Sequence, residues 1–102
     1  MPRPRTDLHR ILQDLSDEVH VYFQPPSSKR MQYPCIVYER SKIDGTPANN
    51  QVYKTDIQYT LTAIYYDPDD YLPIAISKIP GTRHSGHFVS DNLYHDVFSI
   101  YF

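Results

Sequence analysis

The chain has 102 residues, the length of one ordinary domain of about 100–150 residues, so two catalytic domains are excluded. Hydrophobic residues make up 40% and charged residues 22%, too apolar and too weakly charged for a disordered protein. A formal net charge of −2 provides no bulk attraction for nucleic acid, and no segment recurs as a repeat array requires.

So short a chain leaves little room for a deep substrate cavity, which points away from a monomeric enzyme. Ten Tyr stand against no Trp, and nine Pro against three Gly. Tyr joins apolar area to a hydroxyl that needs a partner, and it is frequent both at interfaces and in strands. Cys35 is the single cysteine, so an internal disulfide and a four-thiolate zinc site are impossible. Its place in the apolar run Cys35-Ile36-Val37-Tyr38 predicts a small buried side chain. No stretch approaches the ~18–20 apolar residues of a membrane span. Met1-Pro2-Arg3-Pro4-Arg5 is not followed by a signal-peptide core, so the expectation is a soluble intracellular protein without membrane partners.

In chain order, Thr6 is positioned to cap a first helix whose Leu8, Ile11, Leu12 and Leu15 form one apolar stripe. Val19, Val21 and Phe23 alternate with His20 and Tyr22 as in a strand, which Pro25-Pro26-Ser27-Ser28 stops. Tyr33 to Ser41 predicts a second strand, with Pro34 at its start because proline has no N–H. Residues 42–51, with Asp44-Gly45, Pro47 and Asn49-Asn50, predict a projecting polar loop. Val52 to Tyr66 is the longest strand. Ile57, Tyr59, Leu61, Ala63 and Tyr65 make one face, and Lys54, Asp56, Gln58, Thr60, Thr62, Ile64 and Tyr66 the other, more polar one. Asp67-Pro68-Asp69-Asp70 predicts a second helix start, followed by the stripe Leu72, Ala75, Ile76 and Ile79 and ended by Pro80-Gly81. His87 to Val89 and Tyr94 to Phe102 predict two closing strands around a turn at Asp91-Asn92.

Each helix has one stripe to bury, and the strands are long. The expected fold is therefore a single α+β domain over residues 1–102: a two-layer sandwich of a mainly antiparallel sheet of about four to five strands with two amphipathic helices. The polar face of that sheet is left for water or for a partner.

Catalytic and metal constellations are weak. His84, His87, His95, Asp91 and Asp96 crowd the last twenty residues, but their spacing matches no zinc motif, and adjacent His95 and Asp96 point to opposite faces of a strand. His84 and His87, three apart, have no evident common direction. Ser85 has no Gly-x-Ser-x-Gly elbow, and Gly45 begins no phosphate-binding loop, so neither a catalytic residue nor a cofactor is expected. Arg3, Arg5, His9 and Arg10 form a small basic patch; Asp7, Asp14, Asp17 and Glu18 dilute it, which suits an acidic protein partner better than DNA.

Tyr33-Pro34-Cys35-Ile36-Val37-Tyr38-Glu39-Arg40, then Asn49-Asn50-Gln51-Val52-Tyr53, Tyr59-Thr60-Leu61-Thr62 and Asp67-Pro68-Asp69-Asp70, closed by Asp91-Asn92-Leu93-Tyr94-His95-Asp96-Val97-Phe98-Ser99-Ile100-Tyr101, resemble the tail terminator (tail-to-head joining, or neck) proteins of tailed bacteriophages of Gram-positive hosts. The similarity runs from about Tyr33 to Phe102 and rests on the order and spacing of these strings. It implies a structural virion protein of the neck, assembled in the host cytoplasm. Such a protein forms a hexameric ring on the tail tube, stops tube polymerisation and meets the head-completion (stopper) protein of the connector, and DNA passes through the ring without specific binding. It also implies an antiparallel sheet flanked by helices and no catalytic residues. The residues expected at assembly interfaces are Lys42, Ile43, Asp44, Asn49, Asn50 and Gln51 of the loop, Tyr53, Thr60, Thr62 and Tyr66 of the long strand, and Arg3 and Arg5 near the N-terminus. The alternatives are a head-completion or minor tail protein, a small metal-dependent enzyme using His84, His87 and His95, and a DNA-binding module using Arg3, Arg5 and Arg10.

Overall fold

The computed structural model describes residues 3–48 and 52–102, with side chains for all of these except residues 44, 46–48 and 52–54. Helix α1 (Arg5–Gln13) is followed by β1 (His20–Phe23), β2 (Cys35–Ala48), β3 (Val52–Tyr65), helix α2 (Leu72–Ser77), β4 (Thr82–Ser90) and β5 (Leu93–Tyr101). The strands form one sheet in the order β1-β2-β3-β5-β4. All neighbours are antiparallel except β1 and β2, which run parallel with His20 opposite Cys35. The expected mainly antiparallel α+β architecture is present.

Period-two alternation sorts the side chains, because successive residues of a strand point to opposite faces. Ile36 and Tyr38 of β2, Tyr59, Leu61, Ala63 and Tyr65 of β3, and Phe98 and Ile100 of β5 gather with Leu8 and Leu12 of α1 and Leu72 and Ile76 of α2 into one buried core. Both helices therefore cover the same face. The alternate residues Cys35 and Ile64, opposite one another, are buried on the other face but take no part in that core.

Three local expectations are corrected. Thr6 does not cap α1: the helix begins at Arg5, two residues earlier than a Thr6 cap implies, with Pro4 at the cap and no side-chain cap bond. Pro4 brings a preset φ, and its missing N–H costs nothing at that end. The run Asp67–Asp70 is a turn rather than a helix start. Asp67 Oδ1 accepts from the Asp69 N–H at 2.9 Å, and Asp70 Oδ1 accepts from the Leu72 N–H at 2.9 Å, so the helix opens five residues after Asp67. Asx side chains satisfying nearby N–H groups compete with helix here.

Residues 42–48 are not a loop. They continue β2 and pair with Gln58 back to Val52, after a register shift between Arg40 and Lys42 that leaves Ser41 without a cross-strand partner. The extra residue lets the strand bend and carry on, and Thr46, Val52, Tyr53 and Thr55 favour extended backbone. Neighbouring strands stop short of this stretch: β1 ends opposite Tyr38 and β5 ends opposite Gln58. The hairpin therefore leaves the body of the sheet as a two-stranded arm. It makes the molecule 51 Å long against 29 and 24 Å, and lifts the radius of gyration to 14.9 Å from the roughly 13 Å of a compact chain this size.

The remaining punctuation follows the residues. Asp91 and Asn92, with φ 54° and 63°, make the two-residue turn between β4 and β5, the left-handed pair that matches strand twist. Gly81, with φ 85°, turns the chain from α2 into β4, where a Cβ would sit 3.5 Å from the Tyr101 carbonyl oxygen.

Candidate functional site: the uncovered sheet face and the Asp96 cluster

The register sets out the face opposite the helices in rows. One row crosses Tyr22, Val37, Thr62, Val97 and Gly86; a second crosses Glu39, Thr60, Ser99 and Arg83; a third crosses His20, Cys35, Ile64, His95 and Phe88. Thr60, Thr62, Val97 and Ser99 are half-buried without any helix over them. Around them Tyr66 is 63% exposed, Tyr101 49% and Phe88 48%. Tyr66 stands edge-on to Tyr33 at 5.7 Å, and Phe88 lies flat on His95 at 4.5 Å. Gln58, Gly81, Arg83, Ser99 and Tyr101 line a shallow depression at one end. The result is a broad, gently polar surface with aromatic rims. Beneath it Cys35 is fully buried, and burial pushes its thiol pKa up to about 12, so it is an inert thiol rather than a nucleophile.

Of the residues expected at interfaces, Thr60, Thr62 and Tyr66 share this face. Ile43, 58% exposed, lies opposite Ile57 on the arm, and Lys42 lies opposite Gln58. Asp44 and Tyr53 are backbone positions of the arm, opposite Asp56 and Pro47. Asn49, Asn50 and Gln51 lie outside the described residues.

Arg3 and Arg5 are not joined to this surface. The Arg3 guanidinium sits 3.8 Å over the Phe102 ring and that of Arg5 4.3 Å over Phe23. Arg5 also donates to the buried Tyr38 hydroxyl at 2.8 Å, and that hydroxyl lies 2.7 Å from His9 Nδ1. Burial, then the Arg5 charge, lowers the His9 pKa, so its neutral ring can accept a hydrogen bond from the tyrosine hydroxyl. These arginines hold α1 to the sheet, a role that a reading by charge alone misses.

The structure does bring His84 and His87 together. Pairing passes from His84–Phe98 to Gly86–Val97, leaving Ser85 as the extra residue of a bulge. Without it, residues three apart would face opposite ways; with it, both imidazoles reach Asp96 Oδ1, at 2.9 and 3.0 Å. Tyr65 donates its hydroxyl to Asp96 Oδ2 at 2.5 Å. The signal available in the sequence was Gly86, a glycine inside a strand pattern and hence a bulge marker.

Asp96 is only 6% exposed, and burial by itself would raise its pKa. Hydrogen bonds from Tyr65, His84 and His87, with the His87 charge, outweigh that and hold the carboxyl below its ordinary value. Burial, reinforced by the carboxylate, pushes the Tyr65 hydroxyl well up. The cluster is thus an ionised carboxylate with donors on both oxygens, tying β3, β4 and β5 together at the rim of the helical layer. His95 Nδ1, on the opposite face as its adjacency to Asp96 requires, bonds the Leu93 carbonyl at 3.0 Å. Among the described residues, no group of three or more His, Cys, Asp or Glu is placed to hold a metal ion.

Comparison with protein-family models and with curated proteins returns no match. What the chain offers is therefore read from its own geometry. The cleft between the end of α1 and the start of α2, lined by Leu15, Val19, Pro34, Tyr71 and Leu72, measures about 200 Å³, short of the roughly 300–1,000 Å³ of small-molecule sites. The depression on the uncovered face, lined by Gln58, Gly81, Arg83, Ser99 and Tyr101, is larger, about 540 Å³, and lies open on that surface. No helix among the described residues is long and apolar enough to cross a membrane.

Proposed function

We propose that the chain is a subunit of a ring in the neck of a tailed phage, closing the finished tail tube and joining it to the head connector. The observation that carries this reading is the sheet itself: both helices cover one face, and the other is left with half-buried Thr60, Thr62, Val97 and Ser99 inside an aromatic rim. A surface of that kind is completed by another protein. The resemblance of the sequence strings, in order and spacing, to those of tail terminators supports this kind of assembly.

The dimensions support it. A body 29 by 24 Å in cross-section is too small to surround a DNA channel alone and suits cyclic repetition. A head-to-tail ring needs two different patches on each subunit, and the face and the arm are two different patches. Two patches of about 800 Å² each would occupy about a quarter of the 6907 Å² surface, so a whole face has to be given over to neighbours. A net charge of −2 suits a channel along which DNA slides rather than binds.

Native mass spectrometry of the chain, alone and with the tail tube protein, tests the reading together with electron microscopy of particles made without it. Rings on the tube and overlong tails in the deficient particles are expected. A strict monomer that ignores the tube protein overturns the proposal, and normal tails with DNA leaking from the heads would assign the chain to the stopper instead.

A further inference from the structure

Two of the free hydrogen-bonding edges among the described residues match in length and character. The first is the outer edge of β4, the last strand of the sheet. Exposed strand edges are usually guarded by shortness, a bulge, a lysine or a proline. Here the bulge at Ser85 and the charge of Arg83 guard only the start of the strand; Gly86-His87-Phe88-Val89-Ser90 has no such guard, and Phe88 and Val89 are 48% and 58% exposed. The opposite edge, β1, is only four residues long, and the chain returning from it donates the Gln32 N–H to the Tyr22 hydroxyl at 3.1 Å. The second free edge is that of β3 along the arm. Beyond the Phe102 N–H bond to the Ile57 carbonyl at 3.0 Å, Val52-Tyr53-Lys54-Thr55-Asp56 pairs with β2 alone, and it contains no proline, whereas the β2 side of the arm has Pro47.

We infer that the arm segment 52–56 of one copy adds as a strand to the 86–90 edge of β4 in the next copy. This rests on the ring reading above and names the contact that would build the ring. In either direction position 54 of the arm falls opposite Phe88, so the added strand runs along the exposed Phe88–Val89 stretch of the edge. An arm at the end of the sheet and an edge at its side are different patches, so the contact is head-to-tail and propagates around a ring. Main-chain bonds would supply affinity, as in strand addition generally.

Amide hydrogen exchange on the oligomer seen by native mass spectrometry, compared with the monomer, tests this. In the oligomer, with tail tube protein added as nucleus where the chain alone stays monomeric, exchange within 52–56 and 86–90 is expected to slow by about tenfold or more. Val89→Lys, at an exposed position, should leave the monomer folded and reduce the oligomer by about tenfold. Oligomers whose 52–56 and 86–90 amides exchange at monomer rates, or that form undiminished with Val89→Lys, overturn the strand-addition contact while leaving the ring standing. A chain that stays monomeric under every condition overturns both.

Discussion

Along β3 the side chains alternate between two environments that are finished in different ways. On one side Tyr59, Leu61 and Ala63 are 1%, 0% and 0% exposed, closed over by two helices. On the other, Thr60 and Thr62 are half-buried, Tyr66 is open, and neither helix lies above them. The strand is the same and its residues differ by one position. The contrast separates stability from association: the apolar area that folds the chain is concentrated on the helix side, and the other side is free to be shaped for a neighbour. A similar division separates the five-stranded body from the two-stranded arm, which no third strand among the described residues supports.

Breaking the covered side should have the largest effect. Tyr59→Ala removes a fully buried ring that meets Tyr38 edge-on at 6.1 Å, and it should cost about 3–5 kcal/mol in urea unfolding. Phe102→Ala comes next. This residue is 7% exposed, and its ring carries Arg3, so a loss of about 2–4 kcal/mol is expected, with α1 loosened in hydrogen exchange. A cost near 0.5 kcal/mol would show that the last residue is packed but not needed.

The Asp96 cluster sharpens the comparison, because it is polar yet sits on the covered side. Asp96→Ala leaves the Tyr65 hydroxyl and two imidazole N–H groups without their acceptor and should cost about 1–3 kcal/mol at neutral pH. The pH dependence has a definite sign. Since the folded carboxyl lies below its unfolded value of roughly 4, its contribution is present above that pH and is lost as the pH falls through the folded pKa. Acid titration of the unfolding free energy should show a drop in the native chain that the variant lacks; parallel curves would contradict this. The smallest effect on the monomer belongs to the open surface. Thr62→Ala and Ile43→Ser should change its stability by no more than about 0.5 kcal/mol while reducing assembly, which thermal melts and native mass spectrometry read separately. Unfolding of the isolated chain by either change would erase the division of labour between the two faces.

Much of the covered side was legible in the sequence. The stripes Leu8/Leu12 and Leu72/Ile76 and the alternation from Ile57 to Tyr65 are local periodicities, and each names a buried face without knowledge of its partner. Asp91-Asn92 was legible as a turn because both residues tolerate the left-handed region that the tight hairpin demands. The arm was not, since Gly45, Pro47 and Asn49-Asn50 carry loop chemistry, and only pairing with 52–58 makes strand of the stretch up to Ala48. The Asp96 cluster was not either. Residues three apart on a regular strand diverge, and a single unpaired Ser85 reverses that.

By itself, then, the sequence determined the class of fold, the two helices and the core-facing half of each strand, because these follow from how often an apolar residue recurs along the chain. Tertiary structure alone decided the parallel pairing of β1, the bulge that turns two histidines onto one carboxylate, the internal use of Arg3 and Arg5, and the conversion of a polar segment into an arm. Each of these depends on which strand lies beside which. Cross-strand register joins residues far apart in the chain, and no local period encodes it.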